Sequence, residues 1–318
     1  MLITVIVTNY NRQMEVRRAL LSVLCQSYEP LQVIVVEDGS NSRVQEWVHS
    51  QGVEGKVEYI RHDSNRGLAA ARNTGLKHAR GEWIAYLDDD DHWKPEMLSS
   101  LWDLVQQGVN ERLGVVYCGV EVRDPVTHGV VSILMPEING GIKSEFIRRG
   151  LSTRSSSSLF AQRALRAVGG FDETVASSID HDIWMTLADH GYHTLGLDQP
   201  LTISYASRHG KMTTDVPSRI AGVRGFTNKW EPTFKEWLGD SEGTKYARAY
   251  YARVIGLLAI DNIANGKVVD GTLALRTVIA YSGALVGLRY MVPLLARVGI
   301  RNILPRRVLT IFRGVNKT

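Results

Sequence analysis

Four consecutive carboxylates, Asp88 to Asp91, follow directly on the apolar run Trp83-Ile84-Ala85-Tyr86-Leu87. A short apolar run of this kind reads as a buried strand, so the chain delivers a block of negative charge to a strand's carboxyl end. Carboxylate oxygens suit hard divalent ions, and Mg²⁺ is usually shared between one or two carboxylates and a substrate's phosphates. An isolated acidic run is more often a solvated turn. The other polar clusters of the chain change that reading.

Thr8-Asn9-Tyr10-Asn11-Arg12 closes the first apolar run, and Glu37-Asp38-Gly39-Ser40 closes the second. The first offers an aromatic face with hydroxyl and amide groups, the second a carboxylate, and together they could grip a flat base through its N–H donors. Turns after strands use the same residue types, so each cluster alone is weak. A third cluster, Asn65 to Leu76, sets alanines and the arginines Arg66 and Arg72 near a helix start. Phosphate is favoured there, although a helix packed through its alanines reads equally well.

The elements that must position these residues alternate along the first 120 positions. Strand-like runs at Ile3–Thr8, Gln32–Glu37, Val57–Arg61, Trp83–Leu87 and Gly114–Val122 are separated by helical patterns at Met14–Gln26, Ser42–Gln51, Leu68–Arg80 and Pro95–Gln107. The first, second and fourth runs are almost wholly apolar, as expected where helices cover both faces of a parallel sheet. The expected fold class is therefore α/β, a doubly wound and mostly parallel sheet flanked by helices. Positions 124–158 carry Pro125, Pro136, Gly140-Gly141 and the serine run Ser155 to Ser158, which predicts loops with an excursion strand. A helix is predicted from about Asp180 to Gly191, and the pattern beyond Lys245 is helical. Residues 1–120 read as a nucleotide-binding half, 121–244 as an acceptor-binding and catalytic half, and 245–318 as a helical C-terminal extension.

Composition narrows the function classes. The 318 residues are 44% hydrophobic and 22% charged, an ordinary globular balance. Cys25 and Cys118 lack metal-ligand spacing, which argues against structural zinc and against a disulfide scaffold. His190 and His193 flank Gly191, which breaks the helical face a zinc pair would need. A strand pattern from the first residues leaves no basic leader, so the expected location is cytoplasmic. Residues 245–318 hold 12 Lys/Arg against two acids, within a chain whose net charge is only +4. Such a basic tail is expected to meet an anionic membrane surface, peripheral to the inner membrane face, or to pack against a second subunit in a homo-oligomer.

The ordered clusters VIVTNYNR, VEDGS, NRGLAAARNTGL, YLDDDDHWKPE and VGGFDE resemble those of family 2 glycosyltransferases of the GT-A fold. The resemblance covers roughly residues 1–215. It implies an inverting enzyme that takes a sugar, most often from a UDP-sugar, and passes it to a hydroxyl of a glycan or lipid-linked acceptor in cell-surface polysaccharide synthesis. By this resemblance Thr8, Asn9, Tyr10, Arg12, Asp38, Arg72, Asp88 and Asp89 belong to the nucleotide site. Asp88 and Asp90 match the DxD pair that holds Mn²⁺ or Mg²⁺, with His209 as a further metal ligand and Arg208 and Lys211 on the diphosphate. Asp180 aligns with the catalytic base, and Asp182 and Trp184 fall on the acceptor side. Where the family usually has Glu-Asp-x-Asp this chain has Ile179-Asp180-His181-Asp182, so the residue before the base differs. From their setting in the sequence Trp83, Trp93 and Trp184 are expected to pack the core, although Trp93 is close enough to the acidic run to touch a donor.

Rival classes lack their own signatures. A dinucleotide dehydrogenase needs a glycine-rich turn after the first strand, and none is present. An aspartyl phosphatase would place its DxD pair there, where this chain has TNYN. A sugar nucleotidyltransferase would show a glycine-rich basic loop at that point. That enzyme, and a nucleotide-sugar-binding protein without turnover, stay as alternatives; no nucleic-acid partner is expected.

Overall fold

A computed structural model describes residues 1–40, 43–108, 110–149, 154–206 and 215–283. They form two compact units, one of residues 1–175 with 179–208 and one of 176–178 with 209–318.

The first unit is a mixed α/β domain. Its strands β1 (Ile3–Asn9), β2 (Leu31–Glu37), β3 (Val57–Arg61) and β4 (Trp83–Asp88) alternate with helices α1 (Gln13–Leu24), α2 (Val44–Ser50) and α3 (Leu68–His78). Every residue of β1 is buried, as are all but the last of β4, which is why these strands read as unbroken apolar runs. β1 pairs in parallel with β2 on one side and β4 on the other, and β3 extends the parallel set beyond β2. α1 buries Val16, Ala19, Leu20 and Val23, the spacing of one helical face. α3 lies close on the sheet through its small residues: a Cβ at Gly75 would stand 2.4 Å from Ile6 Cγ2.

Past β4 the chain departs from the expected parallel pattern. A two-residue β5 (His92–Trp93) and α4 (Met97–Gln107) lead to β6 (Leu113–Arg123), then to β7 (Val130–Leu134), β8 (Gly140–Gly141) and α5 (Ile142–Arg149). A 3₁₀ turn at Ser155–Ser157 precedes β9 (Ser158–Ala161), α6 (Gln162–Ala167), α7 (Ile179–Asp189) and β10 (His193–Tyr205). The described strands form one sheet in the order β3-β2-β1-β4-β9-β6-β10-β5, with β7 on β6 and β8 on β10. β9 runs antiparallel between β4 and β6, so β6, the predicted Gly114–Val122 strand, does not neighbour β4. The sheet is thus mixed: parallel among β1 to β4 and again between β6 and β10, and antiparallel where β5, β7, β8 and β9 join it. The 124–158 stretch holds the excursion strand β7, and also β8, α5 and the 3₁₀ turn.

Among the described residues, the second unit holds α8 (Val216–Leu238), α9 (Asp240–Ala264) and α10 (Val268–Ser282). Helix therefore begins at Val216, ahead of residue 245. Asp215 caps α8 by accepting from Ser218 N at 2.9 Å. α9 packs on α8 through Phe226–Tyr250 and Phe234–Tyr246 and on α10 through Tyr251–Tyr281, with ring centroids 4.9, 4.9 and 4.4 Å apart. Among the described residues, no helix is long and apolar enough to cross a membrane.

Candidate active site

Strand register assembles the site. Thr8 pairs with Asp88 across β1 and β4, and Asn9 pairs with Glu37 across β1 and β2, so the polar clusters share one carboxyl edge of the sheet. Ligands of open α/β sheets bind at that edge.

At its centre lies Arg72, which is fully buried. Its Nη1 donates to Asp180 Oδ1 at 2.7 Å and its Nη2 to Asp88 Oδ1 at 2.9 Å. The guanidinium also sits over Tyr86 and Phe171, 5.7 and 5.1 Å from the ring centroids. A single buried cation thus joins residues 92 positions apart in the chain, the DxD aspartate of β4 and the base candidate in the first turn of α7. Their side chains are 27% and 29% exposed, open enough to meet a ligand. Arg72 itself is closed off by the carboxylates and rings around it, so this structure gives it no open face toward a nucleotide.

The two carboxyls respond differently to their shared partner. Burial works against ionisation of Asp180, yet Arg72 and the Ser155 hydroxyl outweigh it and hold the carboxyl below its usual range. Burial pushes Asp88 above its usual range, and although Arg72 opposes this, repulsion from Asp180 and Asp90 adds to it. Asp180 has a close second donor in Ser155 at 2.6 Å, whereas the second donor to Asp88, Thr8 Oγ1, stands at 3.4 Å.

A second ionic knot ties Arg12 to the acidic run. Arg12 Nη1 lies 2.7 Å from Asp89 Oδ1 and 3.2 Å from Asp90 Oδ2. Asp89 also accepts from Tyr10 N at 3.2 Å, and burial pushes its carboxyl up to about 7 against the pull of Arg12. Arg12 and Asp89 therefore brace the β1 turn against the acidic run. Tyr10, 46% exposed, presents an open aromatic face beside them.

Thr8 and Asn9 are buried, and Thr8 Oγ1 reaches toward Asp88 Oδ1 at 3.4 Å. Asp38 is buried and bound to its own surroundings: Arg66 N and Gly67 N donate to it at 2.8 Å each, and His62 Nδ1 lies 2.7 Å from its Oδ1. His62 Nε2 lies 2.9 Å from Thr74 Oγ1, so the ring bridges Asp38 to α3. Asp182 and Trp184 are buried too; Trp184 packs edge-on against Tyr117 at 5.2 Å and anchors α7 to the sheet. Neither presents a surface to an acceptor. Trp83 and Trp93 lie in the core as expected. Arg208, His209 and Lys211 lie outside the described residues.

Among the described residues, no three His, Cys, Asp or Glu side chains converge as a protein-only metal cluster. The donors present nevertheless suit a Mg²⁺ or Mn²⁺ ion that completes its shell with phosphate and water. Asp88 and Asp90 offer hard oxygens, and the repulsion Asp88 feels from Asp90 and Asp180 is an excess of negative charge that a cation relieves.

Sequence reasoning missed Ser155 and His62. Ser155 Oγ donates to Asp180 Oδ1 at 2.6 Å. Its signal was the serine run itself, set directly before the apolar Leu159-Phe160-Ala161, since buried hydroxyls require partners. His62 follows β3 with no distinguishing pattern.

Residues 4–154 match glycosyl transferase family 2, and that part of the chain belongs to the family. An uncharacterized glycosyltransferase of Haemophilus influenzae is 25% identical over 252 residues, 78% of this chain and 84% of its own. An Escherichia coli K12 glycosyl transferase assigned by name to colanic acid biosynthesis, WcaA, is 28% identical over 238 residues, 73% and 82% of the two chains. The fold is shared with Staphylococcus aureus TarS 1–349 in complex with UDP-GlcNAc, with TM-score 0.60 and 18% identity over 79% of this chain and 71% of that one. It is also shared with the mannosyltransferase PcManGT of Pyrobaculum calidifontis in complex with GDP-Man and Mn²⁺, with TM-score 0.57 and 20% identity over 98% and 84%.

Proposed function

We propose that the chain is an inverting glycosyltransferase of GT-A type that moves a sugar from a nucleoside diphosphate, UDP in the first instance, to a hydroxyl of a glycan or lipid-linked acceptor in cell-surface polysaccharide synthesis. One observation carries the reading: the carboxylates of Asp88 and Asp180, one suited to the leaving group and one to the acceptor, stand on the same buried guanidinium at the ligand edge of the sheet. The UDP-GlcNAc of TarS and the GDP-Man and Mn²⁺ of PcManGT support a nucleotide-sugar donor, and the name of WcaA supports a surface polysaccharide.

In this reading the exposed ring of Tyr10 stacks on the base, and Asp38 acts on the base pocket by fixing the 66–67 backbone. Asp88 and Asp90, with His209, are the residues that would hold Mn²⁺ or Mg²⁺; when bound, the ion neutralises charge on the diphosphate. Arg208 and Lys211 serve the same anion. Asp180, kept ionised by Arg72 and Ser155, accepts the proton of the acceptor hydroxyl as that oxygen attacks from the face opposite the leaving group.

The chain then works from the cytoplasmic side, peripheral to the inner membrane face. α10 shows its outward side as Val268, Val269, Leu273 and Ile279, 58%, 83%, 41% and 42% exposed, beside Lys267 and Arg276. Apolar side chains flanked by cations suit an anionic lipid surface. Flotation of the full chain with anionic but not zwitterionic vesicles is the expected result.

The catalytic reading is tested by nucleoside diphosphate release from a panel of UDP-, GDP- and dTDP-sugars, with Mn²⁺ or with chelator, for the native chain and Asp180→Asn. Loss of the base should lower turnover about 10²- to 10⁴-fold while donor binding persists. Equal release in all four conditions would mark a binding protein instead.

A further inference from the structure

We infer that the buried serine turn at 155–157 is a positioning device of the active site, in which Ser155 fixes the rotamer of Asp180 and Ser156 fixes the end of β4 that carries Asp88. This deepens the transferase reading and rests on it.

Four consecutive serines, Ser155 to Ser158, are 0–2% exposed. Burying a hydroxyl without a partner costs free energy, so each must be spoken for. Ser157 and Ser158 turn inward on their own segment, both hydroxyls donating to Arg154 O, at 3.1 and 2.9 Å. The other two reach outward to different elements. Ser155 donates to Asp180 Oδ1 at 2.6 Å, and Ser156 Oγ accepts from the backbone N–H of Asp88 at 3.2 Å.

The turn is itself held in place by elements beyond the site. Ser156 O accepts from Trp93 Nε1 at 2.6 Å and from Thr202 Oγ1 at 3.2 Å. Trp93 lies five residues past Asp88, and Thr202 lies opposite Trp93 in the β5–β10 pair. One short turn therefore spans the two carboxylates whose relative placement the reaction requires.

The choice of oxygen gives Ser155 its role. Ser155 and Arg72 both donate to Oδ1 of Asp180. With Oδ1 held from two directions the carboxyl group cannot rotate freely, and Oδ2 is left to receive the acceptor proton. Arg72 alone could swing with either carboxylate. The hydroxyl supplies the second fixed point, from a turn that Trp93 and Thr202 hold in place.

The test combines Ser155→Ala with Asp180→Asn in a double-mutant cycle, reading release of nucleoside diphosphate from the same sugar panel with Mn²⁺. In the native background Ser155→Ala should lower kcat about ten- to a hundredfold, the span for a hydrogen bond to a charged group, with donor KM within twofold of native. In the Asp180→Asn background it should change kcat less than twofold, because the group it positions no longer acts as base. A serine that merely supports folding would lower both backgrounds alike, and that result overturns the inference, as does an unchanged kcat in the native background. Should Ser155→Ala fail to fold by circular dichroism, Ser155→Cys keeps the volume with a much weaker donor, and the same non-additive pattern is required of it. If Asp180→Asn keeps native turnover, or the native chain releases nucleoside diphosphate from none of the panel, the transferase reading fails first and takes this inference with it.

Discussion

Replacing Arg72 with methionine removes the charge at the centre of the site while keeping the volume of an unbranched side chain. The guanidinium is fully buried and pairs at 2.7 and 2.9 Å with two carboxylates. Removing one partner of a buried ion pair costs about 3–5 kcal/mol, because a charge is left without compensation. Here the stranded carboxylates keep 27% and 29% exposure, so water recovers part of the loss and the lower end applies, about 3 kcal/mol. For a unit of this size that corresponds to a fall in melting temperature of about 6–12 °C. The pH dependence carries a sign that packing loss alone would not. Asp180, held below its usual range in the native chain, contributes stability that is present at neutral pH and lost as pH falls through its folded value. Without Arg72 the carboxyl of Asp180 loses its main counter-charge and rises, Asp88, already above its usual range, rises further, the folded state binds protons more tightly than the unfolded chain, and acidification favours folding. Urea denaturation at pH 8 and pH 5.5 should therefore show the deficit of Arg72→Met shrinking toward acid. A loss below about 1 kcal/mol, or a deficit constant across that range, would refute the bridge as the organising interaction of the site.

Gly39 has φ +68°, and a Cβ there would lie 2.1 Å from the Ser64 carbonyl carbon, so Gly39→Ala should cost about 2–4 kcal/mol in urea denaturation and weaken donor binding in thermal shift by displacing Asp38. Cys118 is buried and burial pushes its thiol up to about 11, while Cys25 is exposed. At pH 8 a thiol reagent should consume one thiol per native chain and two in denaturant; two in the native state would contradict the packing of β6. Asp90→Asn should abolish the stabilising effect of Mn²⁺ on donor binding and lower the melting temperature of the free protein less than Asp89→Asn does, because Arg12 lies 2.7 Å from Asp89 against 3.2 Å from Asp90 and Asp89 also accepts from Tyr10 N–H.

The edge clusters are readable in the sequence because the strands before them are buried on both faces. Where apolar runs such as Ile3–Val7 and Trp83–Leu87 stop, the chain leaves the core, and in parallel strands those stops fall at one edge. Local pattern therefore suffices to place Tyr10, Asp38 and Asp88 together. It does not suffice for Arg72, whose helix looks the same whether the arginine faces solvent or the sheet. Only the arrival of Asp180 from a distant helix decides the matter. Trp184 is legible as a core residue by its size and apolar character, as its burial against Tyr117 shows, whereas the acceptor-side role that the resemblance implied for it is not met by its position. The antiparallel β9 is hidden for a related reason: four residues, Ser158–Ala161, carry too little periodicity to announce a strand, and its place between β4 and β6 is set by non-local pairing.

The acidic tetrad shows how structure divides residues that sequence leaves equivalent. Asp88 and Asp90 have side chains 27% and 23% exposed, whereas Asp89 has 8% and Asp91 is buried as a residue. Residues 88–91 form a turn in which Asp91 N–H donates to Asp88 O at 3.1 Å, and that turn sets Asp89 and Asp91 inward and Asp88 and Asp90 outward. The inward Asp89 finds a guanidinium and a backbone N–H and fixes the turn after β1. The outward pair keeps oxygens within reach of solvent, close enough together for Asp90 to raise the proton affinity of Asp88. A run of four acids would be hard to sustain if all faced one way, since like charges at close range repel. Arg72 is shared by Asp88 and Asp180 and Arg12 by Asp89 and Asp90, so these four carboxylates meet two guanidiniums, and the x of the DxD pattern acquires a structural task of its own in bracing the turn after β1.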